Sequence, residues 1–346
     1  MRFEIEFIDL PQLYDESPSF DIQPIHGSQK SEWMVLKGSG ELVVVDFEEK
    51  SIRSVGRVDH LAFDRAQEAI LRVSDDGRFA AVANRRGVKG AVVDLATGRT
   101  TMSLYREDYY AEHCPFPLAF IQKGSKWLLI HAARWNRLDV SDPATGELLT
   151  DRLLPHPEAG KPRPEHNLDY FHGTLLPSPG GTWIADNGWA WHPVGIVRTW
   201  SLTRWLNENV WESENGPTAR NLCCQDNWDQ PMCWIDDRTL AAWGEDQSLE
   251  NDRPENDRLV FGFFDVESGK RNRTLDVPVG RTFADGGRLF VSKFPLTGVK
   301  VWNTASGDVL LEDSRVPAFK YHLGSKQFWG FGTRLTHVLS RLSEIR

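Results

Sequence analysis

Short apolar runs, broken at regular intervals by Asp-Gly and similar polar pairs, recur along the whole chain of 346 residues. The stretch Ala69–Leu104 displays the unit most clearly. It reads AILRV, the pair Asp76-Gly77, then RFAAVA, a polar turn, and KGAVVD closing on Asp94; Ala-Thr-Gly and a last run follow. Asp-Gly between alternating runs is a strong hairpin signal, because glycine takes a positive φ at little cost. The unit therefore predicts four short antiparallel strands. The same order returns in Ser19–Val55, Leu118–Leu154, Gly173–Leu202, Met232–Leu275, Arg281–Glu312 and Ala318–Arg341, with tight turns near Gly27, Gly124, Gly181, Asp237, Gly287 and Gly324. Seven copies in 346 residues average ~49 residues each. No long apolar periodicity of the helical kind runs between them, which speaks against crossover helices and a parallel sheet.

A four-stranded antiparallel sheet cannot bury both faces alone, whereas sheets packed radially bury each other. The last copy is one strand short, and RFEIEFI (Arg2–Ile8) stands unassigned before the first. Using that strand to complete the last sheet removes two open edges. The expectation is an all-β chain forming one domain over residues 1–346: a seven-bladed β-propeller of four-stranded blades, closed by the N-terminal strand, with six or eight blades as the alternative counts. The pattern resembles the WD-repeat and related propeller superfamily over essentially the whole chain. Third strands end in VVD, FFD or VWN and are followed by ATG, ESG or ASG, so that Asp94, Asp265 and Asn303 match one another, as do Gly98, Gly269 and Gly307. The repeats are degenerate. No third strand ends in Trp-Asp, Trp302-Asn303 being nearest, and no Gly-His pair precedes the strands. The resemblance accordingly implies an architecture without importing a partner or an activity.

Composition narrows the function classes. A formal net charge of -9 repels phosphates at long range, which argues against a nucleic-acid or anionic-membrane surface. The N-terminus carries acids where a secretory leader needs an apolar run, and no apolar stretch reaches about 18 residues, so a cytoplasmic protein is expected. Four cysteines at uneven spacing, Cys114, Cys223, Cys224 and Cys233, do not suggest a disulfide framework.

In a propeller, the connections between blades and those between second and third strands share one face, and binding residues favour long loops on a rigid scaffold. Four insertions cluster around copies three to five: Leu154–Gly173, Asp186–Gly195 (DNGWAWHPVG), Arg204–Trp234 and the acidic Gly244–Arg258. All four are expected on that face. They bring forward Asp169, Tyr170, His172, Asp186, Trp189, Trp191, His192, Asp226, Trp228 and Asp229 as candidate ligand- or partner-binding residues. Aromatic planes beside carboxylates, amides and imidazoles suit a carbohydrate or a cationic ligand. The plainer reading is that the tryptophans pack beneath their own loops, as tryptophans in second strands do. His113, Cys114, His166, His172, His192, Cys223 and Cys224 lack a recognised zinc spacing, and no nucleophile elbow or phosphate loop occurs, so neither metal nor cofactor is expected. The reading that follows is a non-enzymatic interaction module binding a protein or peptide on the loop-rich face. The alternative is a carbohydrate-active hydrolase or lyase using Asp, His and Trp residues of the loops around blades four and five, with a small-molecule or glycan ligand.

Overall fold

A computed structural model of the chain describes residues 2–8, 17, 20–153, 160–162, 164–191, 194–225, 228–245, 259–293, 298–316, 318–331 and 337–345. Its strands form seven antiparallel sheets, six of them meanders taken in chain order and the seventh joining the N-terminal strand to the last three. Blade one is Asp21–Pro24, Glu32–Leu36, Glu41–Asp46 and Ser51–Arg57; blade two is Ala69–Val73, Phe79–Asn84, Lys89–Asp94 and Arg99–Tyr105. Blades five and six run from Met232 to Leu275 and from Gly280 to Asp313. Blade seven is Lys320–His322, Gln327–Phe331 and His337–Ile345, completed by Arg2–Ile8 paired antiparallel to the last of these, Arg2 opposite Ile345 and Ile8 opposite Leu339. The N-terminal strand closes the C-terminal blade, and the seven-bladed β-propeller is the fold.

The repeat signature works through its turns. At the end of the third strands of blades two and six, one side-chain oxygen caps the amides two and three residues on. Asp94 Oδ1 accepts from Ala96 N at 2.9 Å and Thr97 N at 3.1 Å, and Asn303 Oδ1 accepts from Ala305 N at 2.8 Å and Ser306 N at 3.0 Å. In blade five, Asp265 Oδ1 accepts from Ser268 N at 2.8 Å and from the Ser268 hydroxyl at 2.7 Å. The glycine that ends the turn takes a left-handed φ, 69° at Gly98, 72° at Gly269 and 82° at Gly307. This is the local bond pattern that Asp and Asn favour in turns. Between strands, Val, Leu and Ala pack into clusters shared by neighbouring sheets, such as Met34, Leu42, Leu71, Val82 and Val93 of blades one and two.

The chain divides into two compact units. One comprises Met1–Arg85, Lys89–Leu104 and Val277–Arg346; the other comprises Arg86–Val88 and Tyr105–Asp276. The second unit holds blades three to five and departs from the simple repeat twice. Blade three has three strands, Leu118–Lys123, Lys126–Arg134 and Arg137–Ser141, and its expected fourth strand shrinks to a single bridge between Ser141 and Leu148. Side chains replace the missing ladder: Thr150 Oγ1 accepts from Val140 N at 2.9 Å, and the Arg152 guanidinium donates to Leu138 O at 2.9 Å. Blade four, conversely, gains a strand. It consists of Phe171–Pro177, Trp183–Ala190, Val194–Ser201 and Arg220–Gln225, with helices Leu202–Asn207 and Glu212–Asn215 between the last two strands. Trp200, Leu202 and Trp205 of this insertion pack with Leu138 and Val140 of blade three.

Two sequence expectations are thereby corrected. Most of Arg204–Trp234 is not a connection on the loop-rich side: its helices join third to fourth strand, so they lie at the sheet end that carries the Ser178–Gly181 hairpin. Cys223 and Cys224 belong to the fourth strand and not to a loop. Of the acidic stretch, residues 246–258 lie outside the described residues.

Candidate functional site

The segment DNGWAWHP was expected as a loop, but Asp186 to Ala190 continue the second strand of blade four, and Trp191 follows it as a turn residue. The reason is a close approach that Asn187-Gly188 permits in a strand. A Cβ at Gly188 would collide with Phe171 O and the Tyr170 ring, and one at Gly173 with Asn187 O. The register shifts between Phe171 and Thr174, a bulge that brings Tyr170, His172 and Asp186 together. His172 Nδ1 lies 2.5 Å from Asp186 Oδ2, Asp186 Oδ1 accepts from Gly173 N at 3.0 Å, and both side chains are fully buried. The Tyr170 hydroxyl is within 3.1 Å of Asp186 O and 3.0 Å of Ile196 O, and accepts from Gly188 N at 2.7 Å. The Arg198 guanidinium lies 5.1 Å from the Tyr170 ring centroid and donates to Glu214 O at 3.0 Å. Burial, reinforced by Asp186, pushes the Tyr170 phenol well above its ordinary range, and burial pulls Arg198 down. These residues form an interior brace, all of them buried.

On this brace stands an aromatic stack. Phe171 and Trp189 face each other across the two strands at 3.9 Å and 2°, and Trp228 continues the stack on Trp189 at 4.8 Å and 12°. Trp135, from the tight turn between second and third strands of blade three, leans on Phe171 at 4.4 Å. Trp191 stands edge-on to Phe171 and Trp189, both at 5.5 Å, and meets Tyr110 at 5.1 Å and 89°. Tyr109 lies against Phe171 at 5.9 Å and 12°. Such offset and edge-to-face pairs add about 0.5–1.5 kcal/mol each beyond area burial. Phe171 and Trp189 are buried, while Trp191, Tyr109 and Tyr110 are 37%, 45% and 40% exposed. The result is a fixed aromatic base with three rings presented to solvent.

Tyr109 and Tyr110 were not anticipated. They sit in the connection from blade two to blade three, YREDYYAEHCPF, whose shape depends on Arg106. That guanidinium is 2% exposed and donates to backbone oxygens of Gly87 (2.8 Å), Ala111 (2.9 Å), Cys114 (2.9 Å) and Pro115 (3.3 Å). Burial pulls its pKa down, with Cys114 opposing; burial likewise pushes the Cys114 thiol up against the pull of Arg106. Tyr110 carries a left-handed φ of 51°. The available sequence signal was the paired tyrosines in an inter-blade connection, two blades before the tryptophans.

The candidate residues thus divide. Trp189, Trp191 and Trp228 join the aromatic surface, with exposed Asp229 beside it, 3.9 Å from Arg86. Tyr170, His172 and Asp186 lie in the brace, and Asp169 is half-buried just before it. His192 and Asp226 lie outside the described residues. His166 stacks on Trp211 at 4.2 Å with Nδ1 2.6 Å from Asn215 Oδ1, so it docks on the helical insertion. Burial, with Cys224 adding to it, pushes the Cys223 thiol up to about 12. Among the described residues no group of three or more His, Cys, Asp or Glu side chains is arranged to hold a metal, and no helix is long and apolar enough to cross a membrane.

No protein-family model matches the chain, and no curated protein matches its sequence. Solved structures share its fold. A chain of the crystal structure of a mitotic checkpoint complex superposes with a TM-score of 0.59 at 12% identity, covering 99% of this chain and 91% of that one. The β-propeller domain of Cps50 (Swd1) of Myceliophteria thermophila gives 0.55 at 11% identity, covering 99% and 100%. At these identities the likeness is one of fold, and it agrees with the β-propeller architecture.

Proposed function

We propose that this propeller is a non-enzymatic interaction module that binds a protein or peptide segment on the aromatic surface of its second unit. One observation carries the reading: Trp191, Tyr109 and Tyr110 are held in solvent by rings and backbone that are themselves buried. Interface hot spots are enriched in Trp and Tyr, and a preordered ring loses little entropy when it is covered. Glu107, Asp108, Glu112 and Asp229 surround the rings with Arg86, Arg134 and His113, a mixed charged rim around an apolar middle. One fold neighbour is a component of a multiprotein assembly, the mitotic checkpoint complex, which accords with this reading. The carbohydrate-active alternative requires two carboxylates about 5–10 Å apart in an open pocket. Asp186, one of the acids of those loops, is buried and bonded to His172 and Gly173.

The test is affinity capture from native lysate with the wild-type chain and with Trp191→Ala/Tyr110→Ala. Both should show the same far-ultraviolet circular dichroism and a cooperative melting transition well above the assay temperature, and the variant should lose the specifically retained partner. Identical captured sets from two equally folded proteins would sink the proposal.

A further inference from the structure

Trp191, Tyr109 and Tyr110 present their rings to solvent at different tilts. Tyr109 and Tyr110 meet at 4.9 Å and 85°, Tyr110 and Trp191 at 5.1 Å and 89°, and Tyr109 and Trp191 at 6.3 Å and 69°. Planes set near right angles cannot all stack on one flat apolar group. They offer ring faces in several directions instead, and the face of an aromatic ring is its electron-rich side, which attracts cations. Beneath them, Phe171 and Trp189 fix the cluster, so its shape exists before any partner arrives.

The charges beside the rings have the matching sign. Glu107 and Asp108 immediately precede Tyr109, Glu112 follows Tyr110 by two positions, and Asp229 follows Trp228. Arg134 Nε lies 3.1 Å from Glu107, and Arg86 reaches Asp229 at 3.9 Å. His113 Nε2 lies 3.2 Å from Glu112, and its ring stands 5.7 Å from Tyr110 and 6.2 Å from Trp228. Four carboxylates thus border the rings, and two guanidiniums and an imidazole pair with them. These pairs reach solvent, where such contacts are screened and contribute little, so an arriving cation can join them without breaking a buried pair. The chain's net charge of -9 acts in the same direction at longer range, drawing cations in and turning anions away.

We infer that the partner segment is basic: an arginine or lysine side chain lies over the rings of Trp191, Tyr109 and Tyr110, with its charge met by Glu107, Asp108 and Glu112. The inference rests on the reading of this surface as the binding one and narrows the partner to cationic chemistry. An acidic segment would face like charge along the rim, and an uncharged one would leave both the ring faces and the carboxylates unanswered.

The experiment follows fluorescence anisotropy of short fluorescein-labelled glycine-serine peptides carrying arginines, glutamines or glutamates, titrated with the full chain at about 0.15 M sodium chloride, where long-range attraction is screened. The arginine peptide should bind saturably, the glutamine peptide about tenfold more weakly, and the glutamate peptide more weakly still. Glu107→Gln/Asp108→Asn/Glu112→Gln should weaken the arginine peptide about tenfold, the scale of one cation–π contact with its counter-charge, and leave the glutamine peptide unchanged. Glu68→Gln/Glu147→Gln/Glu267→Gln removes the same formal charge at exposed acids elsewhere and should bind as wild type. Far-ultraviolet circular dichroism checks that each variant is folded. Absence of saturable arginine-peptide binding, equal binding of the arginine and glutamine peptides, or an equal loss in both acid variants overturns the inference. So does arginine-peptide binding that survives Trp191→Ala/Tyr110→Ala. Capture from lysate separates the two readings: a partner lost with the ring variant but kept by Glu107→Gln/Asp108→Asn/Glu112→Gln sinks the basic segment and leaves the aromatic surface as a binding site.

Discussion

Where blade three lacks its fourth strand, Arg137, Arg152, Asp139 and Glu214 form a neutral group of four charges. Arg137 Nε and Arg152 Nη1 share Asp139 Oδ1 at 2.8 and 3.2 Å, Arg152 Nε reaches Glu214 Oε1 at 3.1 Å, and the Arg152 and Glu214 side chains are each 1% exposed. Glu214→Leu removes one charge and leaves a surplus cation with no water to solvate it. Breaking a buried pair on one side costs about 3–5 kcal/mol. Arg152→Met should cost a similar amount, because Glu214 then keeps only the Ser213 hydroxyl at 3.0 Å as a side-chain hydrogen-bond partner, with Arg198 as the remaining nearby cation. The double variant removes both charges and leaves Asp139 with Arg137. What remains is the lost bonding of Leu138 O and Thr150 O, each 2.9 Å from Arg152, at about 1–3 kcal/mol. The two single costs should therefore greatly exceed the double cost. Urea unfolding followed by tryptophan fluorescence measures all three. If the single costs add to the double cost within about 0.5 kcal/mol, the helical insertion is not held by this ion pair and the reasoning fails.

Further outcomes follow from single groups. His322 is fully buried, accepts from Ser325 N at Nδ1 (3.2 Å) and sits with Nε2 3.1 Å from Glu32 O, an arrangement that needs the neutral ring. Burial, with the neighbouring His26 adding to it, lowers its pKa from 6.5 to about 4. The unfolded chain thus binds the proton more readily, so stability present above pH 6.5 is lost as pH falls towards 4, by up to about 3 kcal/mol at 1.36 kcal/mol per unit. His322→Gln should flatten that slope in urea titrations at pH 7 and pH 5. Lys50 takes φ 51° at the turn position where Gly98, Gly269 and Gly307 stand in other blades. Lys50→Gly should raise stability by about 1 kcal/mol, read as a higher melting temperature, and a lower one would contradict the turn assignment. Gly188→Ala should destabilise by more than about 2 kcal/mol, because its Cβ meets backbone at Phe171, with tryptophan fluorescence reporting loss of the Phe171–Trp189 stack.

Much of the fold was legible because its signals are local. The Asp76-Gly77 hairpin, the Asp94 and Asn303 turn caps and the orphan strand Arg2–Ile8 each act within a few residues or follow from counting strands. The exceptions depend on partners distant in sequence. RNLCCQ (Arg220–Gln225) shows little alternation, and two helices separate it from the strand it joins, so nothing local marks it as the edge of blade four. Blade three keeps the expected turn after Asp142, yet Thr150 and Arg152 spend side chains on the ladder, and Arg152 finds its counter-charge 62 residues away.

The aromatic surface shows the same division. Asn187-Gly188 is a strong turn signal by propensity, but here the absent Cβ serves strand-to-strand contact, and the tertiary demand wins. That places Trp189 inside and leaves Trp191 outside, although they stand two positions apart and alternation alone would put both on one side of the sheet. The strand ends at Ala190, so Trp191 belongs to the turn and escapes the alternation. Its exposure is a consequence of where the strand stops, and the brace of Tyr170, His172 and Asp186 holds the neighbouring bulge in place. Loosening that brace should therefore cost the surface its shape before it costs any contact with a partner, even though no brace residue reaches solvent.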